Sequence, residues 1–453
     1  MKTDLIIISL YLLVTLFLAF MYSRKNKDYS SYFIGKDKYS SIALAATFFA
    51  TVVGAGSTFY VAGEYYRTGI KFFFVLSGTY VSSFFVAIYV VPRMTKWLGS
   101  LTPGEIIAGI YSPVLQRGCG VIAAIVSIGF VAVQVHAFGY VVAFFYDFPK
   151  HYSMLLGGLF IVLYTSYGGI NAVIRTDIFQ FCMIFATIFI LAKVTMNAAG
   201  GNNSITNEFN LLNTGLNFNK GDLILWLNFS LMCFNPSLIQ RICIARNVNQ
   251  AKKARLLSLF LWVIFSSLVG ICGITTYLMF PNIDPKMTIP VLITNVVPVG
   301  IKGIIISGLL ASIMSTADSD LNIAAVSMYK DVFQYKIDNQ GLPKIRKISF
   351  ALGVFAILIA LSFNSMIEIL LFVINCWAVT FMFPLIFGIM NWHISSKAVI
   401  YSISLAIITS VIWEIFLRQS LSVGSSIIGG LVNILSLLIF HNIQKYKIKK
   451  FKT

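Results

Sequence analysis

Apolar residues come in runs of about twenty, separated by short polar breaks, along the whole chain. A run of that length crosses a bilayer core as a helix, which satisfies its own backbone hydrogen bonds. The pattern predicts about thirteen membrane helices, near 4–23, 41–66, 70–91, 118–146, 152–167, 175–196, 222–241, 255–280, 302–329, 347–363, 365–390, 397–417 and 423–443. The longest polar stretch, 197–222, is too short for a separate soluble domain. The expectation is one all-α transmembrane domain over residues 1–453.

Two spans are interrupted by polar or helix-breaking residues. Span 41–66 contains Gly54-Ala55-Gly56-Ser57-Thr58, and span 222–241 contains Asn235-Pro236-Ser237. Proline removes an amide donor, and a glycine cluster weakens the helix locally. Ordinary small-residue packing plus a proline kink gives this pattern. So does a pair of broken helices in an inverted repeat, because the spans are the second and seventh and run in opposite directions.

Composition agrees with a membrane protein: 58% of the 453 residues are hydrophobic and 11% are charged, against about one-quarter charged in soluble proteins. The net charge of +18 is a topology signal, not a nucleic-acid footprint. Lysine and arginine gather in loops 24–40, 241–255 and 330–347 and in the tail 441–453, which share one side. The positive-inside rule puts that side in the cytoplasm, with the N-terminus outside and the C-terminus inside. Anionic lipid is an accompanying partner. The first span reads as a retained helix, since Arg24, Lys25 and Lys27 follow it and no small-residue cleavage site is evident. The six cysteines show neither zinc spacing nor a disulfide framework. Histidines 136, 151, 393 and 441 lack metal-ligand spacing, so a membrane enzyme is disfavoured.

The most polar span contains "SGLLASIMSTADSDLN", residues 307–322. On a helix, Ser312, Ser315, Thr316 and Ser319 fall within about 100° of one another, opposite Ile313, Met314, Ala317 and Leu321. Such hydroxyls serve helix packing in many membrane proteins. They also suit a sodium ion, a hard cation that needs several oxygens in place of its water. Acidic groups at this depth need a partner or a task. Asp177 reads as an interfacial acid near Arg175 or as a cation ligand. Asp318 reads as a structural acid or as part of an ion site. Asp320 and Asp331 fall nearer the inner end, where water or basic loops are expected.

At these residues the chain resembles the solute:sodium symporter family, which has the leucine-transporter fold. "GGINAVIRTDIFQ", "FNPSLIQRICIARN" and "ASIMSTADSDLN" carry the likeness, in order along the chain. The resemblance implies a leading helix (1–23), two inverted five-helix repeats (41–196 and 222–390) and trailing helices (397–443). It implies a sodium site formed by the carbonyls of Thr51, Gly54 and Ser312 and the hydroxyls of Ser315 and Thr316. A second cation site, found in some members, would fall on Asp177, Ser315 and Ser319, with Asp318 beside it at a position that is often serine. It further nominates Ser57, Thr58, Ser77, Gln134, Asn228, Asn235 and Trp377 for the solute pocket.

The implied activity is sodium-coupled import of a small polar organic solute across the cell membrane, the cytoplasmic membrane in a bacterium, by alternating access. Amino acids, vitamins and small carboxylates are all open as solutes. Similar sialic acid transporters hold the carboxylate with an arginine on the third core helix. None lies between Val121 and Tyr146, which disfavours that solute. Proton coupling and an uncoupled channel or facilitator are the alternatives. No oligomer is required.

Overall fold

A computed structural model describes residues 2–25, 32–33, 39–201, 217–338, 341–363, 365–392, 394–417 and 424–450. Most of the polar stretch expected at 197–222, and His393, lie outside the described residues. Among the described residues the secondary structure is helical throughout, without strands.

The helices are α1 (Lys2–Lys25), α2 (Ser41–Val52), α3 (Gly56–Thr68), α4 (Lys71–Trp97), α5 (Pro103–Ile110), α6 (Pro113–Tyr146), α7 (Lys150–Ala198), α8 (Lys220–Ser230) and α9 (Pro236–Cys243). They continue with α10 (Val248–Met279), α11 (Thr288–Asn295), α12 (Ile301–Val332), α13 (Gly341–Ser362), α14 (Met366–Val379), α15 (Met382–Ile389), α16 (Ser396–Ile412) and α17 (Ser425–Lys450). Each predicted span falls on helix. By length and apolarity, ten helices of the described residues suffice to cross a membrane, or eleven with the bent pair α2/α3. The remaining difference from thirteen has two causes. Helix α7 holds two predicted spans in one 49-residue element, and α8 and α9 are separately short.

The bend inside α7 lies at Gly169, whose φ of 63° is left-handed and open to glycine at little cost. A Cβ there would also meet the ring of Tyr32 at 2.5 Å. The α2/α3 pair bends by 74° across residues 53–55. Its first half is capped by Ser40, which accepts from the Ala43 amide at 3.2 Å. The α8/α9 break restarts at Asn235, whose side chain caps Leu238 N at 2.9 Å, with Pro236 in the first turn where no amide donor is needed.

Helix α12 is the most enclosed of the ten candidate spans. It packs on α6, α7 and α1, and more lightly on α2 and α9. Asp320 and Asp331 are buried within this packing, instead of meeting water at an inner end as the sequence suggested. Asp331 accepts from Thr102 Oγ1 and Gln116 Nε2, both at 2.9 Å.

Candidate functional site

The break between α2 and α3 changes where backbone groups point. In an unbroken helix the Gly54 amide would bond the Ala50 carbonyl. Here it donates to the Val52 carbonyl at 3.2 Å and to Ser57 Oγ at 3.0 Å. The Ala55 amide donates to Gln134 Oε1 at 3.0 Å. The Ala50 carbonyl instead receives the hydroxyls of α12, Ser315 at 3.0 Å and Thr316 at 3.4 Å. The same hydroxyls reach the Ser312 carbonyl at 3.1 and 3.2 Å.

Four neutral oxygens from two helices therefore converge, and the donor set suits a hard monovalent cation. Hydroxyls rotate, so Ser315 and Thr316 can turn their lone pairs inward in place of the present contacts. The α2 carbonyl that meets them is Ala50, one residue before the expected Thr51. The expected Gly54 carbonyl accepts the hydroxyls of Ser57 at 3.3 Å and Thr58 at 3.2 Å, which restart the helix. Gly54 itself leaves no room for a side chain. A Cβ there would lie 2.8 Å from Thr316 Oγ1 and 2.9 Å from Gln134 Nε2.

Asp177 and Ser319 come together, but around a guanidinium. Arg241, with no exposed surface, points Nη2 at Ser319 Oγ at 2.5 Å and lies 3.6 Å from Asp177 Oδ2. Its Nε donates to Thr47 Oγ1 at 3.2 Å, and its Nη1 to Gln240 Oε1 at 2.9 Å. Thr47 donates in turn to Asp177, and Thr51 Oγ1 lies 3.1 Å from Ser319 Oγ. Asp177 Oδ1 has no hydrogen-bond partner among the described residues.

Asp318 does not join this cluster through any direct contact. It accepts from the hydroxyls of Tyr164 and, at 2.7 Å, Thr165, both in the first half of α7. Adjacent residues on a helix point about 100° apart. Asp318 and Ser319 therefore serve different neighbours, and the expected second cation site divides between two environments.

A central cavity of about 180 Å³ opens beside the break. Ser57, Gln134, Asn228 and Asn235, four of the residues nominated for the solute pocket, line it. Thr58, Ser77 and Trp377 do not. Thr58 caps Gly54. Ser77 donates to the Phe74 carbonyl at 2.6 Å and accepts from Trp226 Nε1 at 3.0 Å. Trp377 is buried and gives its Nε1 proton to the Phe234 carbonyl at 2.6 Å. Thus Gln134 holds backbone freed at the first break, and Trp377 holds backbone freed at the second. Lining residues absent from the sequence-based set include Thr79, Ser83, Arg255, Trp262 and Asp320. A second cavity, about 450 Å³, is lined by Glu64, Arg67, His136, Lys150 and Asp284, and Tyr60 borders both cavities. Lys150 Nζ is 3.2 Å from His136 Nε2.

The model of the sodium:solute symporter family matches residues 32–417. A sodium/iodide cotransporter of Homo sapiens is 24% identical over 357 residues, covering 72% of this chain and 55% of that protein. A sodium/proline symporter of Staphylococcus aureus is 24% identical over 403 residues, covering 82% of this chain and 78% of its own length. The solved structure of a Na+-coupled sialic acid symporter, in a substrate-bound outward-open state, matches with a TM-score of 0.87 over 97% of both chains. At 17% identity that likeness is one of fold. The all-α leucine-transporter architecture expected from the sequence is the one observed.

Proposed function

The chain belongs to the sodium:solute symporter family, whose members are multi-pass membrane transporters and not enzymes, with Na+ as coupling ion, and we propose that it imports a small polar organic solute by sodium-coupled alternating access. The observation that carries this reading is the meeting of Ser315 and Thr316 with the freed Ala50 carbonyl. It joins the broken pair α2/α3 to α12 through oxygens alone.

Sodium bound by Ala50, Ser312, Ser315 and Thr316 ties these two rigid pieces together. Its ligands come together only while α2 and α12 are close, so it favours the conformation in which they are close. A ligand shifts such a balance only by its differential affinity for the two states. Solute then enters the central cavity, and Tyr60, which borders both cavities, closes over it. When α12 parts from α2 on the other side, the ion loses its ligands and leaves with the solute. One cation crossing 100 mV contributes about 2.3 kcal/mol, and a tenfold concentration gradient adds about 1.4 kcal/mol.

One sodium per cycle is favoured, because Arg241 already places a positive charge beside Asp177 and Ser319. The reading treats residues 1–453 as one transporter domain, with the N-terminus outside and the C-terminus in the cytoplasm. The solute belongs to the amino acid, vitamin or small carboxylate class, and the sodium/proline relative supports the first. The test is uptake of labelled solutes into proteoliposomes of the purified full chain. An imposed sodium gradient drives accumulation, and replacing sodium with choline abolishes it. Flux that ignores the sodium gradient overturns coupling in favour of a facilitator, and flux that follows a proton gradient alone favours proton symport.

A further inference from the structure

Among the described residues that line the central cavity, only Arg255 and Asp320 are charged. Both are almost completely buried, with 4% and 3% of their surface exposed. Arg255, on α10, uses Nη2 for Ser83 Oγ at 3.1 Å and the Cys233 carbonyl at 3.2 Å, and its guanidinium lies 5.7 Å from the Phe48 ring centre. No carboxylate among the described residues forms an ion pair with it. Asp320, on α12, accepts from the Ser237 hydroxyl. Arg241 acts on it electrostatically, but gives its ion pair to Asp177 and its hydrogen bonds to Thr47, Gln240 and Ser319.

Arg255 and Asp320 are not paired with each other, yet both are fixed to one short segment. Arg255 holds the carbonyl of Cys233, and Asp320 holds the side chain of Ser237, across the α8/α9 break. Four residues of extended chain span at most roughly 14 Å. An α-amino acid with a charged hydrogen bond of about 2.8 Å at each end falls within that reach. Buried charges are retained where something of opposite sign compensates them. Here a cation and an anion wait on one small cavity, whose other walls include Phe48, Phe130, Phe229 and Trp262.

We propose that the transported solute is a zwitterion, an amino or imino acid whose carboxylate meets Arg255 and whose ammonium group meets Asp320, with its apolar part against the aromatic wall. This rests on the reading that the central cavity receives the solute.

The test is thermal unfolding of the purified full chain in sodium or choline buffer, with the twenty proteinogenic amino acids as probes. Each that stabilises is compared with its decarboxylated and deaminated counterparts, which for leucine are 3-methylbutylamine and 4-methylpentanoate. At least one amino acid stabilises in sodium, and both singly charged counterparts bind at least tenfold more weakly. Asp320→Asn and Arg255→Gln each weaken the amino acid at least tenfold, while stabilisation by sodium alone persists. The analogue series uses the unmodified protein, so it decides the matter even where a variant does not fold. Equal binding of an amino acid and its deaminated or decarboxylated counterpart overturns the proposal. So does sodium-driven uptake confined to uncharged or singly charged solutes, which leaves symport standing. A protein with no sodium-dependent uptake of any solute fails at the earlier reading instead.

Discussion

Arg241 and Asp177 face each other at 3.6 Å with neither side chain exposed to solvent. One sits in α9, just past the second break, and the other in the second half of α7, beyond Gly169. Thr47 of α2 and Ser319 of α12 complete the contact. The pair therefore ties together the same two elements, α2 and α12, that meet at Ala50, Ser315 and Thr316. A fixed cation holds one joint, and the proposed mobile cation holds the other.

Removing either partner leaves a buried charge uncompensated, which costs about 3–5 kcal/mol in comparable pairs. Arg241→Gln and Asp177→Asn are each expected to lower the thermal unfolding midpoint sharply. The double variant is expected to lose less than the sum of the two, because neither member of the pair is left facing the other's absence. Thermal unfolding of all four proteins in one detergent measures the coupling. Additive losses would mean that the two groups do not act as a pair.

At the mobile-cation joint, Ser315→Ala deletes one oxygen, and Thr316→Ala deletes one oxygen and a methyl group. Each is expected to raise the sodium concentration for half-maximal uptake about tenfold, equivalent to about 1.4 kcal/mol. The maximal rate at saturating sodium is expected to change less. Sodium titration of uptake in proteoliposomes separates the two quantities. Unchanged sodium activation in both variants would move the ion elsewhere.

The break itself gives a third expectation. A methyl at position 54 would crowd Thr316 Oγ1 and Gln134 at under 3 Å. Gly54→Ala is therefore expected to push α3 away from α12 and cut uptake at least tenfold, with expression and membrane insertion retained. Wild-type uptake in this variant would show that the break tolerates displacement and that the close approach is incidental.

The sequence made some of this legible and hid the rest for physical reasons. Runs of apolar residues, the glycines at 54 and 56, and Pro236 act locally, so the helices and both breaks could be read directly. Ser315 and Thr316 could be read because they share one helix face. The α2 carbonyl that meets these hydroxyls, Ala50, lies one residue before the nominated Thr51, since the exit register of a broken helix depends on which side chain takes each freed amide. Here Ser57 takes one and Gln134 the other. Arg241 read as another basic residue at a span end, and only tertiary packing carries it to Asp177. Asp320 and Asp331 read as interfacial, because the sequence does not reveal that neighbouring helices enclose nearly all of α12. Gln134 and Trp377, both nominated for the solute pocket, also brace the breaks, and of the two only Gln134 lines the cavity. Each offers polar atoms beside a break, and the backbone takes them.

Asp318 separates two accounts of the acidic residues on α12. If it helped to hold a second coupling ion, replacing its charge would alter sodium stoichiometry or introduce a pH dependence. Its observed partners are instead two donors, the hydroxyls of Tyr164 and Thr165, and an asparagine oxygen accepts from the same donors. Its Oδ2 has no hydrogen-bond partner among the described residues, so that edge gives an amide no acceptor and the substitution carries a modest stability cost, about 1–3 kcal/mol for one unsatisfied buried group. Asp318→Asn is therefore expected to lower the unfolding midpoint while keeping one sodium per solute and the wild-type pH profile of uptake. Asp318→Ala, which strands both hydroxyls, is expected to be less stable still. Paired sodium and solute flux measurements from pH 6 to 8 decide between the accounts. A changed ion-to-solute ratio in the asparagine variant would return Asp318 to the coupling machinery.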